Sequence, residues 1–87
     1  IMYFESKLRG VVLHARSGTA VLYGNLDGIE AAHPVFVRIH KSYLVNPRHI
    51  RAVSGCAVAT VSGEILPVSR RYRENLQRLG YGAPRLK

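Results

Sequence analysis

Three short runs in this sequence gather hydrogen-bond donors with no acid inside them: Lys7 and Arg9 in SKLRG, His40, Lys41 and Ser42 in HKSYLVN, and Arg70, Arg71 and Arg73 in SRRYR. Ammonium and guanidinium groups collected in this way can bind an anion, and the planar arginine fork can also meet two acceptors at once. Other chemistry finds less support. His14, His33, His40 and His49 have neither the i, i+4 helical pairing nor the cysteine partners of a zinc site. Ser42 near His40, and Ser69 near Arg70, lack the third group that would orient a base for nucleophilic attack. Gly24, Gly28 and the Ser-Gly pairs do not form a phosphate-cradling loop ahead of a helix with a following lysine. No catalytic residue, metal ligand or cofactor is expected, and the chain does not read as an enzyme.

The elements that must carry these runs are short. Val, Ile, Tyr and Phe recur in segments separated by Ser17-Gly18, Ser54-Gly55 and Ser62-Gly63, a pattern of strands joined by tight turns. It predicts a mostly antiparallel β fold with strands at Met2–Ser6, Gly10–Arg16, Thr19–Tyr23, Val35–Ile39, His49–Val53, Cys56–Val61 and Glu64–Val68. Tyr43, Leu44 and Val45 are read as apolar anchors that leave His40, Lys41 and Ser42 turned outward at a strand end. Asn25 can cap a short helix over 25–32 with Asp27 in its first turn, and Pro34 obliges His33 to leave the helical region. Tyr72, Leu76 and Leu79 at i, i+4 and i+7 predict a helix over 70–79, capped by Ser69 and stopping at Gly80, with Arg70, Arg73 and Gln77 facing outward.

Charge is patterned along the chain. The 87 residues carry a net charge of +8, and 47% are apolar, enough for one small domain with a core. The acids are Glu5, Asp27, Glu30, Glu64 and Glu74, so Ala31 to Gly63 holds none, while Arg38, Lys41, Arg48 and Arg51 fall inside that span. Such an excess points to an anionic partner: nucleic acid, an acidic membrane surface or an acidic protein. On local spacing HKSYLVN reads first as a solvated loop. The start of SRRYR shifts the balance, because the N-terminal end of a helix repels cations and three arginines there call for an external anion. If the three basic loops converge on one edge, they form a footprint for a polyanion. Arg38, between Val37 and Ile39, is read as structural, either paired with an acid such as Glu64 or pointing to solvent. The lone Cys56, beside Ala57 and Val58, reads as a small buried hydrophobe in a protein of a reducing compartment. No apolar run approaches the roughly 18 residues of a membrane span, so no membrane partner is expected.

FVRIHKSYLVNPRHI and, after a short gap, GEILPVSRRYRENL resemble the core of the LytTR family, the β-rich DNA-binding output domains of many bacterial response regulators; IMYFES resembles that family's early strand. The match runs over about residues 1–79. It implies an elongated antiparallel β-sandwich-like fold without a recognition helix, whose loops enter successive major grooves on one face of bent double-stranded DNA. The matching positions are the loop around Lys7 to Val11, then His40, Lys41 and Ser42, then Arg70 and Arg71. On this resemblance Arg9, Lys41 and Arg70 are expected at base edges, and Lys7, His40, Ser42, Arg71 and Arg73 at phosphates.

The resemblance further implies a cytoplasmic bacterial transcription regulator with an upstream receiver or sensory domain. Its DNA-binding domain is expected to be a monomer in isolation and to place two copies on paired direct-repeat half-sites. Residues 1–87 are read as a single domain with a flexible tail over about 80–87. Family members usually begin a strand or so before IMYFES, so an N-terminal strand is expected ahead of Ile1. They also often have an aromatic residue just after the first loop, where this chain has Gly10. Two other readings stay open: a basic β domain that binds RNA, and a protein-interaction module with a basic patch. A reader of single-stranded RNA would need aromatics on a sheet face, and Phe4, Phe36 and the five tyrosines do not form such motifs.

Overall fold

A strand whose residues alternate between two apolar partners must be covered on both faces, and β1 (Tyr3–Lys7) is such a strand. Tyr3 and Phe4 are both buried although they point to opposite sides of the pleat. The computed structural model, which describes residues 1–8 and 10–79, shows what covers each side. β1 lies at the centre of a five-stranded antiparallel sheet in the order β3-β2-β1-β5-β4. Its other strands are β2 (Gly10–Ala15), β3 (Gly18–Tyr23), β4 (Val37–His40) and β5 (Tyr43–Val45). A second sheet contains β6 (Ile50–Val53), β7 (Ala57–Thr60) and β8 (Ile65–Pro67).

One face of the large sheet sends Phe4, Val11 and Leu44 against Leu26 of helix α1 (Leu26–Ala32), with Leu22, Ile29 and Phe36 packed around them. The other face sends Tyr3, Ile39 and Val45 against Val58 and Leu66 of the second sheet and Leu76 of helix α2 (Arg73–Arg78). The molecule is elongated, 42 × 24 × 20 Å. The mostly antiparallel β fold, the early strands and the 56–68 hairpin follow the sequence pattern closely. Asn25 caps α1 as expected: its Oδ1 accepts the Gly28 N–H at 2.8 Å. The helix ends at Ala32, before His33 and Pro34.

Elsewhere packing overrides local pattern. Tyr43–Val45, read as an anchor, is a strand because it pairs on both sides, with β1 through Tyr3↔Val45 and Phe4↔Leu44 and with β4 through Val37↔Val45. Cys56 is exposed in the β6–β7 turn and not buried. The final helix begins as a 3-10 turn over Arg70–Tyr72, and Ser69 does not cap it with its side chain; instead the Ser69 carbonyl accepts the Tyr72 N–H at 3.0 Å. Leu79 is 47% exposed, because α2 has reached the edge of the sheet-sheet core by then, whereas Leu76 is 1% exposed. Arg70, Arg73 and Gln77 face solvent as the helical spacing requires.

Gly10 has a steric reason. A Cβ built on it would lie 2.8 Å from the Leu22 carbonyl oxygen of the neighbouring strand, so an aromatic side chain does not fit here without moving β3. The expected tail over 80–87, with the stop at Gly80, lies outside the described residues, as does Arg9. No helix among the described residues is long and apolar enough to cross a membrane.

The two leucines of α2 make a direct comparison. Leu76→Ala should destabilise the domain by about 2–5 kcal/mol through lost burial and a residual cavity, whereas Leu79→Ala should change stability by no more than about 0.5 kcal/mol. Urea unfolding midpoints of the two variants should differ accordingly, and equal shifts would show that α2 is not seated as described.

Candidate nucleic-acid interface

The strand pairing brings the basic runs together. β1 runs antiparallel to β5, with Glu5 opposite Tyr43, and one residue further the Ser6 N–H donates to the Ser42 carbonyl at 2.8 Å. Lys7 at the end of β1 and the His40-Lys41-Ser42 turn between β4 and β5 therefore emerge side by side. On the other side of that turn the register of β4 against β5 slips by one residue between Arg38 and His40. Ile39, the extra residue, accepts the Ser69 N–H on its carbonyl at 2.9 Å. Two backbone hydrogen bonds thus line up the β1–β2 hairpin, the β4–β5 turn and the start of the last helix at one end of the strands. A bulge commonly re-aims side chains at functional edges in this way.

Lys7, Lys41, Arg70, Arg71 and Arg73 are all exposed on these segments. The hairpin loop is shorter than the implied Lys7–Val11 span: Val11 is fully buried, and Lys7 pairs with Gly10. Leu8, at its tip, takes φ 48° with its side chain in solvent. In the turn, the Ser42 N–H donates to Nδ1 of His40 at 3.1 Å, which leaves the ring proton on Nε2. His40 also meets the Tyr43 ring edge-on at 5.7 Å between centroids. Arg71 lies over the Tyr72 ring at 5.6 Å.

All five acids are engaged internally. Glu5 accepts from Tyr43 Oη at 3.1 Å and sits 3.0 Å from His14 Nε2. Asp27 and Glu30 bind Arg38, Glu74 binds Arg78, and Glu64 accepts from the hydroxyls of Thr60 and Ser62 at 2.6 Å each. Those hydroxyl bonds hold the Glu64 carboxyl below its ordinary pKa. Among the described residues, Lys7, Lys41, Arg70, Arg71 and Arg73 have no carboxylate within ion-pair distance. No group of three or more potential metal ligands occurs among them either.

Arg38 is structural and paired with an acid, as the sequence pattern suggests, but the acids are Asp27 and Glu30. It is neither paired with Glu64 nor solvent-facing. It shares the α1 side of the sheet with Leu44, its partner in the β4–β5 register, is only 6% exposed, and reaches Asp27 and Glu30 on that helix at 2.8 Å each. Burial opposes its charge, but the hydrogen bonds it donates to Asp27 and Glu30 outweigh it and raise the pKa of Arg38 further. The available signal was the spacing of Asp27 and Glu30, which places two carboxylates on one side of α1.

Among the described residues, exposed cations without a carboxylate partner, gathered on adjoining segments and joined by Arg16, Arg48 and Arg51 elsewhere on the surface, suit an anionic partner. The family model for the LytTr DNA-binding domain matches residues 1–80, and the chain belongs to this family. An uncharacterized response regulatory protein of Shewanella oneidensis is 31% identical over 83 residues, covering 91% of this chain and 35% of that protein. Another such protein, from Yersinia pestis, is 34% identical over 82 residues, covering 88% of this chain and 34% of its own length. The chain thus spans about a third of the length of these curated relatives. Among solved structures, the fold is similar to the LytTr DNA-binding domain of a Bacillus cereus protein described as a methyl-accepting/DNA response regulator. The TM-score is 0.83 at 28% identity, over 91% of this chain and 79% of that one.

The polar layer behind the interface gives a pH test. Burial, and after it the nearby Glu64, Glu5 and Tyr43, push the Tyr3 hydroxyl up to about 12 from an ordinary value of 10.0. The unfolded chain therefore releases this proton first, so the contribution of Tyr3 to stability is complete below pH 10 and falls as pH rises from about 10 to about 12. Chemical denaturation across that window should show the decline, and Tyr3→Phe should flatten it. A Tyr3→Phe profile as steep as the parent's would assign the decline to other groups.

Proposed function

We propose that this chain reads double-stranded DNA as the output domain of a bacterial response regulator. The observation that carries the reading is the row of basic segments, joined through backbone hydrogen bonds and left without internal counter-ions, on a chain that belongs to a DNA-binding family. Arg70 and Lys41 are assigned to base edges in successive major grooves, where a guanidinium fork can satisfy guanine O6 and N7 together. Arg9, between Leu8 and Gly10 in the sequence, is assigned the same role by that position alone. Lys7, His40, Ser42, Arg71 and Arg73 are assigned to phosphates, which position the domain without reading sequence. The net charge of +8 opposes self-association, so the isolated domain is expected to be a monomer, with two copies meeting only on paired direct-repeat half-sites. An upstream receiver or sensory domain is consistent with the response regulatory relatives, of which this chain spans about a third.

The test begins with a duplex selected by the chain from a randomised library. Binding should weaken steeply with salt, with a log–log slope of about −4 to −6 for a handful of phosphate contacts. Arg70→Ala should lose roughly 1–3 kcal/mol on the selected duplex and flatten discrimination at one or two base pairs, whereas Arg71→Ala should weaken all duplexes alike and lower the slope by about one. Salt-independent binding, or preference for single-stranded RNA over any duplex in competition, would overturn the reading.

A further inference from the structure

Arg38 is the only Lys or Arg among the described residues whose side chain is buried. Four of its five N–H groups have acceptors, and those acceptors lie on different elements. Nε donates to the His40 carbonyl at 2.8 Å and Nη2 to the Lys41 carbonyl at 2.7 Å, so both peptide oxygens of the turn bend inward around the guanidinium. Nη1 donates to Asp27 Oδ1 and Glu30 Oε1, which tie the same group to α1. The Tyr72 ring lies 5.5 Å from the guanidinium carbon, and the Arg38 carbonyl accepts from Asn75 Nδ2 at 2.9 Å. One residue therefore touches the turn that carries Lys41, the segment that carries Arg70, and helix α1, which packs on the same side of the sheet.

Building on the DNA reading above, we propose that Arg38 is a positioning residue for sequence recognition: it fixes the orientation of Lys41 and its spacing from Arg70 without touching DNA itself. A lysine cannot replace it, because a single ammonium has three donors and no planar fork with which to span two carbonyls and two carboxylates. The carboxylates of Asp27 and Glu30 are part of the device. They hold the guanidinium from behind, so that Nε and one Nη2 N–H are committed to the turn.

This role and a purely electrostatic one predict different outcomes for the ratio of affinities. Asp27→Asn with Glu30→Gln removes two negative charges from a protein that binds a polyanion, so charge alone would tighten binding to every duplex. If Arg38 positions the turn, the double variant instead loses about five- to tenfold in the ratio of affinities for the selected and a scrambled duplex, the low end of one base-pair contact. Arg38→Lys should reduce the same ratio while leaving the salt slope within one unit of the parent, since charge is kept and no phosphate contact is lost.

Folding is checked by circular dichroism. Should the double variant unfold, Asp27→Asn alone, at a side chain 85% exposed, carries the same comparison. A folded variant that binds both duplexes more tightly with an unchanged ratio overturns the positioning role while leaving the DNA reading intact. A parent chain that selects no duplex from the library overturns both.

Discussion

A buried guanidinium must find acceptors for most of its donors, and this requirement at Arg38 organises one end of the molecule. Removing an arginine from water is tolerated only where hydrogen bonds replace hydration. Here the replacements come from two turn carbonyls and two helix carboxylates, so the conformation of the β4–β5 turn and the placement of α1 are consequences of the same demand. Asp27 remains largely in water, so the attraction is screened on that side, and the directional value of the four bonds matters more than their Coulomb energy. The bulge at Ile39 completes the arrangement by directing a carbonyl towards Ser69.

The division of charge follows from how the few acids are used. With five carboxylates against thirteen Lys and Arg, a random arrangement would scatter partial neutralisation over the surface. Instead each carboxylate is engaged with an internal partner, three of them between elements: Glu5 between β2 and β5, Asp27 and Glu30 between α1 and β4. The acids serve the fold, and the cations of the basic row are left for a partner. Because phosphate binding gains mainly from counterion release, unpaired and solvent-exposed cations contribute most to it.

Burial on both faces of the large sheet explains why so short a chain can hold its loops in register. Phe4, Val11 and Leu44 under α1, and Tyr3, Ile39 and Val45 under the second sheet, share strands that run directly to the basic turns. A one-residue slip of β1 or β5 would exchange the two cores, so the register that positions Lys7 beside the Lys41 turn is strongly specified.

Much of this protein is legible from local sequence. The β-rich segments with their Ser-Gly turns, the Asn25 cap and the acid-free basic runs depend only on neighbours in the chain, where side-chain period, backbone preference and charge act directly. The motif around His40-Lys41-Ser42 and Ser69-Arg70-Arg71 was sufficient to point to the family. Contacts between distant residues were not legible, because nothing in a linear pattern says which elements become adjacent. Tyr43–Val45 is a strand only because β1 and β4 flank it. Cys56 is exposed and Leu79 half-exposed only because the sheet-sheet core ends where it does. Arg38 could have paired with any acid until α1 packed on its side of the sheet and brought Asp27 and Glu30 within reach. Sequence therefore determined which residues could hold an anion, and tertiary structure decided which cation would be withdrawn to hold the others in place, since burial and hydrogen-bond geometry exist only once the layers have assembled.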